Sequence, residues 1–403
     1  MPRFESLLEC IGNTPEVRLR NTFSEEDGLS EGTRLYIKCE RFNPGGSIKD
    51  RIGLQMIEDA EASGELVPGV SEIVEVTSGN MGIGLAIAAA FKGYPCTFII
   101  PGYYSRERWT TMAAYGAGVE ITPPELGVPG ALDRLALFRR ERPNAWFANQ
   151  FDNPANPKAH SDGTAEEVVR DFPEGIDYLI AGAGTGGHLS ALARKLKKVW
   201  PALKVYYALP SVSRFYESFL PTAAAGAAGG GGEGGEKDEE EEEEERGMRL
   251  IDVDLTVPSG EHRLHTLQGL NPGPFRPLNM EFENLDAFVY VTQEEAYEYA
   301  RRATRRDGLF CGASTGAVLA AVAKVLPEIP AGSTVLAFNY DLGDRYLSVP
   351  DLFTDENVRI LKSIEDPILP PPNRHQPKVI IGRPSQVPND AVRPRKSENE
   401  ADH

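Results

Sequence analysis

A lysine at the mouth of a glycine turn is the first residue of this chain whose placement could serve covalent chemistry. In Asn43-Pro44-Gly45-Gly46-Ser47-Ile48-Lys49-Asp50-Arg51 the turn opens a helix and presents Lys49 near its first turn. The positive end of a helix disfavours the ammonium form, so an amine there is easier to hold neutral and ready to attack an aldehyde. The segment is not a P-loop, since G-x-x-x-x-G-K-[ST] is absent. Taken alone, such a lysine is also an ordinary solvated helix residue.

Three more turns combine small residues with hydroxyls. Thr77-Ser78-Gly79-Asn80-Met81-Gly82 sits between a strand and a helix, where free N–H groups make an anion site suited to a carboxylate. Its alternative reading is a plain capping turn. Gly182-Ala183-Gly184-Thr185-Gly186-Gly187-His188 is again a strand-to-helix turn, and its glycines let the backbone close around a phosphate. A dinucleotide phosphate would also suit it, but the loop is not a G-x-G-x-x-G within an opening β-α-β unit and no acidic residue follows at the required distance. Gly312-Ala313-Ser314-Thr315-Gly316-Ala317 places a small hydroxyl before a helix, which a Ser314 N-cap would equally explain.

The elements that must hold these turns follow from the apolar patterning. β-Branched runs predict strands at 34–38, 72–76, 96–100, 177–181 and 204–208, with helices at 52–63, 82–91, 106–115 and 188–199 between them. Further on come a strand at 287–291, helices at 293–306 and 314–326, and a strand at 334–339. Such alternation predicts an α/β fold with largely parallel sheets. The chain has 403 residues, 41% of them hydrophobic, which is enough for two cores. Residues 223–247, Ala/Gly-rich and then Glu-rich, read as a disordered insertion, and 366–403, with eight prolines, as a disordered tail.

Charge narrows the function classes. The formal net charge of -18 disfavours nucleic acid or an anionic membrane as a partner, although Glu233 to Arg246, with ten acidic and two basic residues, supplies -8 of it. Cys10, Cys39, Cys96 and Cys311 form no C-x-x-C pair, and the six histidines give no H-E-x-x-H, so reduced thiols in the cytoplasm and no metal site are expected. Glu5, Glu9 and Glu16 interrupt any signal-peptide apolar region, and no stretch approaches the ~20 apolar residues of a membrane span.

Taken in order, the four turns resemble the cysteine synthase and cystathionine β-synthase family of pyridoxal phosphate (PLP) enzymes, fold type II. The likeness extends to Ile11-Gly12-Asn13-Thr14-Pro15, Gln150-Phe151 with Asn153 and Asn156-Pro157, Gln268-Gly269-Leu270 with Gly273, and Gly343-Asp344-Arg345-Tyr346-Leu347. It implies two doubly wound α/β domains with PLP in the cleft between them. The larger would be 1–44 and 156–365, the smaller and mobile one 45–155, and the assembly a homodimer. It also implies that Lys49 binds PLP covalently and, once displaced, acts as the base at Cα. By the same resemblance Asn80 meets the ring oxygen, Gly184, Thr185, Gly186, Gly187 and His188 hold the phosphate, and Ser314 faces the pyridine nitrogen. Thr77, Ser78, Met81, Gln150 and Gly269 fall on the substrate side.

Two departures from the family pattern stand out: Met81 replaces a second threonine, and His188 replaces the threonine that closes the phosphate loop. A histidine can still donate to phosphate. The expected activity is that of a transferase, β-replacement on O-acetylserine or O-phosphoserine through aminoacrylate, with sulfide as the nucleophile and cysteine as the product. The alternatives are an amine or another thiol as nucleophile, and a non-catalytic member of the fold acting as an interaction protein.

Overall fold

The structure, a computed structural model, describes residues 3–219 and 248–353 except 255, 258, 260–266 and 271–275. The segments 223–247 and 366–403, and Gly273, lie outside the described residues. Through Phe353 the described chain makes one compact unit containing two sheets.

In chain order the strands are β1 (Glu16–Arg18), β2 (Arg34–Cys39), β3 (Glu72–Val76), β4 (Cys96–Pro101), β5 (Gly118–Thr122), β6 (Ala145–Phe147), β7 (Tyr178–Gly182), β8 (Lys204–Pro210), β9 (Arg249–Ile251), β10 (Ala287–Val291) and β11 (Thr334–Asn339). The larger sheet has the order β1-β2-β11-β7-β8-β10-β9, and the smaller β5-β4-β3-β6. Every pairing is parallel except β1 with β2. Parallel strands buried on both faces read as continuous apolar runs, as β10 (AFVYV) and β11 do, all of whose residues are buried. The smaller sheet comes entirely from residues 72–147, within the segment 45–155.

The helices are α1 (Lys49–Ser63), α2 (Asn80–Lys92), α3 (Arg106–Ala114), α4 (Gly127–Glu141), α5 (Ala155–Ala159), α6 (Ala165–Asp171), α7 (Gly187–Val199), α8 (Gln293–Asp307) and α9 (Ala313–Val325). Four of them begin earlier than the apolar pattern predicts: α1 at Lys49, α2 at Asn80, α7 at Gly187 and α9 at Ala313. The residues of those first turns are set by the turns they leave, not by an apolar face, so periodicity does not register them. The pattern also misses β5, α4 and β6, because α4 buries only Ala131 and Phe138 and β5 buries only Thr122. Between α5 and α6 the helical path widens into a π-turn at His160–Thr164.

Helices α1 and α2 touch through glycines. A Cβ at Gly84 would lie 2.5 Å from the Lys49 carbonyl oxygen, and one at Gly53 would lie 2.6 Å from the Gly84 carbonyl carbon. This backbone contact fixes the start of α1, which carries Lys49, against α2, which begins with Asn80. Gly84→Ala should therefore push the helices apart and destabilise the fold by ~1–3 kcal/mol through overpacking, seen as a lower Tm. An unchanged Tm would mean that the contact yields freely.

Candidate active site

Strands β2, β11 and β7 are neighbours in the larger sheet and leave it in the same direction. Beyond their carboxyl ends lie the Lys49 turn, residues 340–345 and the glycine loop, so the turns singled out in the sequence converge where parallel α/β sheets place ligands. Residues 339–345 join them. The Ile48 N–H donates to the Tyr340 carbonyl (3.0 Å), and Ser47 pairs with Asp341 in an isolated bridge. Asn80 Nδ2 donates to Asp341 Oδ2 (2.7 Å) while Arg345 donates to Asn80 Oδ1. The Tyr340 hydroxyl accepts the Gly182 N–H (2.7 Å) and donates to the Gly182 carbonyl (3.1 Å). Thr315 Oγ1 accepts from Asn339 Nδ2 (3.2 Å) and from the Tyr340 N–H (3.1 Å), and Cys311 pairs with Leu342.

Lys49 is half-buried at the first position of α1, where Ser47 Oγ accepts its N–H. Burial lowers its amine to about 8, opposed by the nearby charges of Asp341 and Glu40. The next residue, Asp50, is fully buried, and burial pushes it up to about 7 against the Gly45 N–H and the charge of Arg345. Ser314 is buried in the first turn of α9 and is not its N-cap, a place held by Gly312. The capping alternative for this serine is thereby removed.

In the loop after β3, Thr77 Oγ1 accepts the N–H groups of Gly79 (2.9 Å) and Gly82 (3.1 Å). Thr77 thus caps α2 while its own hydroxyl proton stays available. The Ser78 carbonyl accepts from Arg108 (2.6 Å) and Gly79 has φ 126, where a Cβ would collide with the Arg108 side chain, so only glycine fits. Met81 turns its side chain into the apolar cluster that holds Ile52, Phe98 and Met112. What this position leaves to the loop is its backbone N–H, in keeping with the loss of a hydroxyl there. Gln150 is buried and its Nε2 donates to the Val76 carbonyl (3.2 Å).

The glycine loop runs into α7. Thr185 Oγ1 accepts from Asn156 Nδ2 (2.8 Å), which also donates to the Gln150 carbonyl (2.8 Å), so one amide ties the two loops together. The carbonyl of Gly269 lies against Gly184, where a Cβ would meet it at 2.6 Å. His188 is buried with its ring 4.4 Å from that of Phe338 and 5.0 Å from that of His160. Neither of its nitrogens has a partner among the described residues. Burial, with the charges of Lys49 and Arg51, holds its imidazole neutral.

The sequence reading missed Tyr340, Asp341 and Glu75 altogether, and Asn156 entered it only as part of the resemblance. Glu75 is buried in β3, two residues before Thr77, and burial raises it to about 8, opposed by hydrogen bonds from Asn149 and Gln150. No local motif marks these residues, because each acts through partners remote in the chain.

The residues present fit PLP. They offer an amine of depressed basicity, one glycine-lined helix N-terminus for a single phosphate, unpaired imidazole nitrogens beside it, an asparagine amide and a buried serine hydroxyl. Such a set, at the carboxyl edge of a parallel sheet, defines a PLP enzyme of fold type II. The comparisons with known proteins agree: the pyridoxal-phosphate dependent enzyme family matches residues 7–341. A cysteine synthase from Flavobacterium sp. is 42% identical over 310 residues, 77% of this chain and 85% of the relative. An O-ureido-L-serine synthase from Streptomyces lavendulae is 35% identical over 350 residues, 86% of this chain and 92% of the relative. A crystal structure of O-ureido-L-serine synthase superposes with a TM-score of 0.70 at 35% identity, covering 87% of this chain and 95% of that one. The chain belongs to the pyridoxal-phosphate dependent enzymes, in their cysteine synthase-like, fold type II branch. Among the described residues no helix is long and apolar enough to cross a membrane, no group of three or more His, Cys, Asp or Glu could hold a metal, and the four cysteines are unpaired.

An amine lowered to about 8 is half neutral at that pH and mostly protonated below it. In the apoenzyme, competitive acetylation of Lys49 should rise with pH and reach half its plateau near pH 8. A midpoint near the ordinary 10.5 would show that burial does not depress this amine.

Proposed function

We propose that this enzyme carries out β-replacement on an activated serine, O-acetylserine or O-phosphoserine, with sulfide as nucleophile and cysteine as product. The observation that carries the reading is that residues 339–345 hydrogen-bond to all four turns, so Lys49, Asn80, the glycine loop and Ser314 serve one site. The cysteine synthase relative supports sulfide. An amine or another thiol is the second reading, and the O-ureido-L-serine synthase, whose named product carries an oxygen-linked group, is a relative whose nucleophile is not sulfide.

PLP supplies the electron sink for the pair left at Cα when its proton is removed. Lys49 is the covalent anchor and then the base that takes that proton, a task for which a pKa of about 8 suits it better than an ordinary lysine. The hydroxyl proton of Thr77, the exposed part of Ser78, the Met81 N–H and the Gln150 amide hold the substrate carboxylate and so orient the Cα–H bond. Thr185 and the N–H groups that open α7 hold the phosphate, with His188 behind them. Ser314 offers the ring nitrogen a neutral hydroxyl, which favours a protonated ring less than a carboxylate would and so promotes prompt loss of the β-substituent. In this reading residues 45–155 are the smaller, substrate-binding domain, the enzyme is a cytoplasmic homodimer, and Gly269 closes the substrate side.

Holoenzyme mixed separately with O-acetylserine and O-phosphoserine should change its cofactor absorption with one of them, and sulfide should then release cysteine. Homocysteine and glutamate serve as competing nucleophiles, and turnover with either in place of sulfide would select the second reading. Lys49→Ala should lower turnover by at least ~10²-fold, as for loss of a general base. Spectral silence with both serine derivatives would remove the assignment.

A further inference from the structure

Asp341 is fully buried, its backbone bridges to Ser47, and its carboxylate faces Asn80, yet no sequence motif includes it. Its Oδ2 accepts from Asn80 Nδ2 (2.7 Å) and from the Tyr346 hydroxyl. The Tyr346 ring in turn packs against the guanidinium of Arg108, 4.7 Å from its centroid, so the carboxylate is held from behind. On the other side of the amide, Arg345 donates to Asn80 Oδ1. A carboxylate can only accept and a guanidinium can only donate, so these two partners allow the Asn80 amide one of its two flips. In that flip Nδ2 spends one proton on Asp341 and keeps the other. The reverse flip would set Oδ1 against the carboxylate and the amide protons against a cation.

We propose that Asp341 is a positioning residue for the cofactor: together with Arg345 it locks the Asn80 amide so that the free Nδ2 proton, and never Oδ1, is offered to the cofactor's ring oxygen. The inference rests on the reading that Asn80 meets that oxygen. It gives the residue after Tyr340 a role at the ring, separate from the charge it places near Lys49. Without Asp341 the amide can turn and lose its donor for part of the time, which weakens binding but leaves the cradle and the anchor in place.

The test uses apoenzyme and pyridoxine 5′-phosphate, which keeps the ring oxygen and the phosphate but has an alcohol in place of the aldehyde, so binding is free of any contribution from the covalent link. Calorimetric titration should find Asn80→Ala weaker by up to ~10-fold, the size expected for one lost hydrogen bond, and Asp341→Ala weaker by a few-fold. The double variant should bind no worse than Asn80→Ala alone, because Asp341 reaches the ring oxygen through that amide. Asp341→Asn, which retains an accepting oxygen, should recover most of the affinity. Full additivity in the double variant, or Asp341→Asn binding as poorly as Asp341→Ala, overturns the proposal. Wild-type affinity in Asn80→Ala would instead sink the contact with the ring oxygen, and the inference with it. Thermal melting of each apo variant checks folding, and Asp341→Ser replaces the alanine variant if that one does not fold.

Discussion

All four turns of this site are fastened to the chain that leaves the carboxyl end of β11. That strand lies inside the larger sheet, with β2 on one side and β7 on the other, so its continuation emerges between the two turns that those strands feed. Buried peptide groups must find partners, and here the partners belong to different loops. The Tyr340 carbonyl takes the N–H next to Lys49, its N–H goes to Thr315, and its hydroxyl closes both backbone groups of Gly182. A displacement of β11 would therefore disturb the anchor, the glycine loop and the Ser314 turn together. The four turns, spread over about 270 positions of sequence from Asn43 to Ala317, behave as one site because this segment leaves them little independent freedom.

A second constraint acts on α1 from the opposite side. Arg51, two residues after Lys49, donates to both Glu40 and Glu167, and Lys38 donates to Glu16 while pairing with Glu167. Burial alone would raise Glu167, but Arg51 and Lys38 outweigh it and bring the carboxyl to about 2. The Asn13 N–H and the Thr14 hydroxyl join the same cluster, which draws the N-terminal Ile11 to Pro15 segment against the helix. Desolvation offsets much of the attraction in such a network, so its net stabilisation is small. Separating its members would leave charges buried and unpaired, at a cost of ~3–5 kcal/mol, and this asymmetry makes it a device for fixing position. With the glycine contact to α2 on another side, α1 is constrained in rotation as well as in translation.

The parallel α/β character was legible because buried strands such as 287–291 and 334–339 are uninterrupted apolar runs, and their limits coincide with β10 and β11. Lys49 and the glycine loop stand out in the sequence only in the company of the other turns, since each alone has an ordinary reading. Element starts were less legible. Lys49, Asn80 and Gly187 are helical residues whose identities answer to a site and not to a core face, so patterning assigned them to loops. Asp341 could not be found this way, since its meaning depends on Asn80, 261 positions earlier, and on Tyr346. Met81 stands out in the sequence as a departure from a motif, and its side chain serves the core of the smaller sheet, a placement the motif alone does not reveal.

That placement of Met81 shifts the question of substrate recognition onto charge. The loop after β3 presents donors, since the Thr77 oxygen is already occupied by two N–H groups and its proton is left to point elsewhere. An ionised carboxylate beneath such a loop would oppose a bound substrate carboxylate across a poorly screened interior. Glu75, two residues before Thr77 on β3 and bonded to Gln150, is raised to about 8 by burial, so at neutral pH it is mostly protonated and carries little charge. It then supports Gln150 without setting a full negative charge beside it. The same burial that makes Lys49 a weaker base thus makes Glu75 a weaker acid, so one environment supplies a neutral amine and removes a buried negative charge.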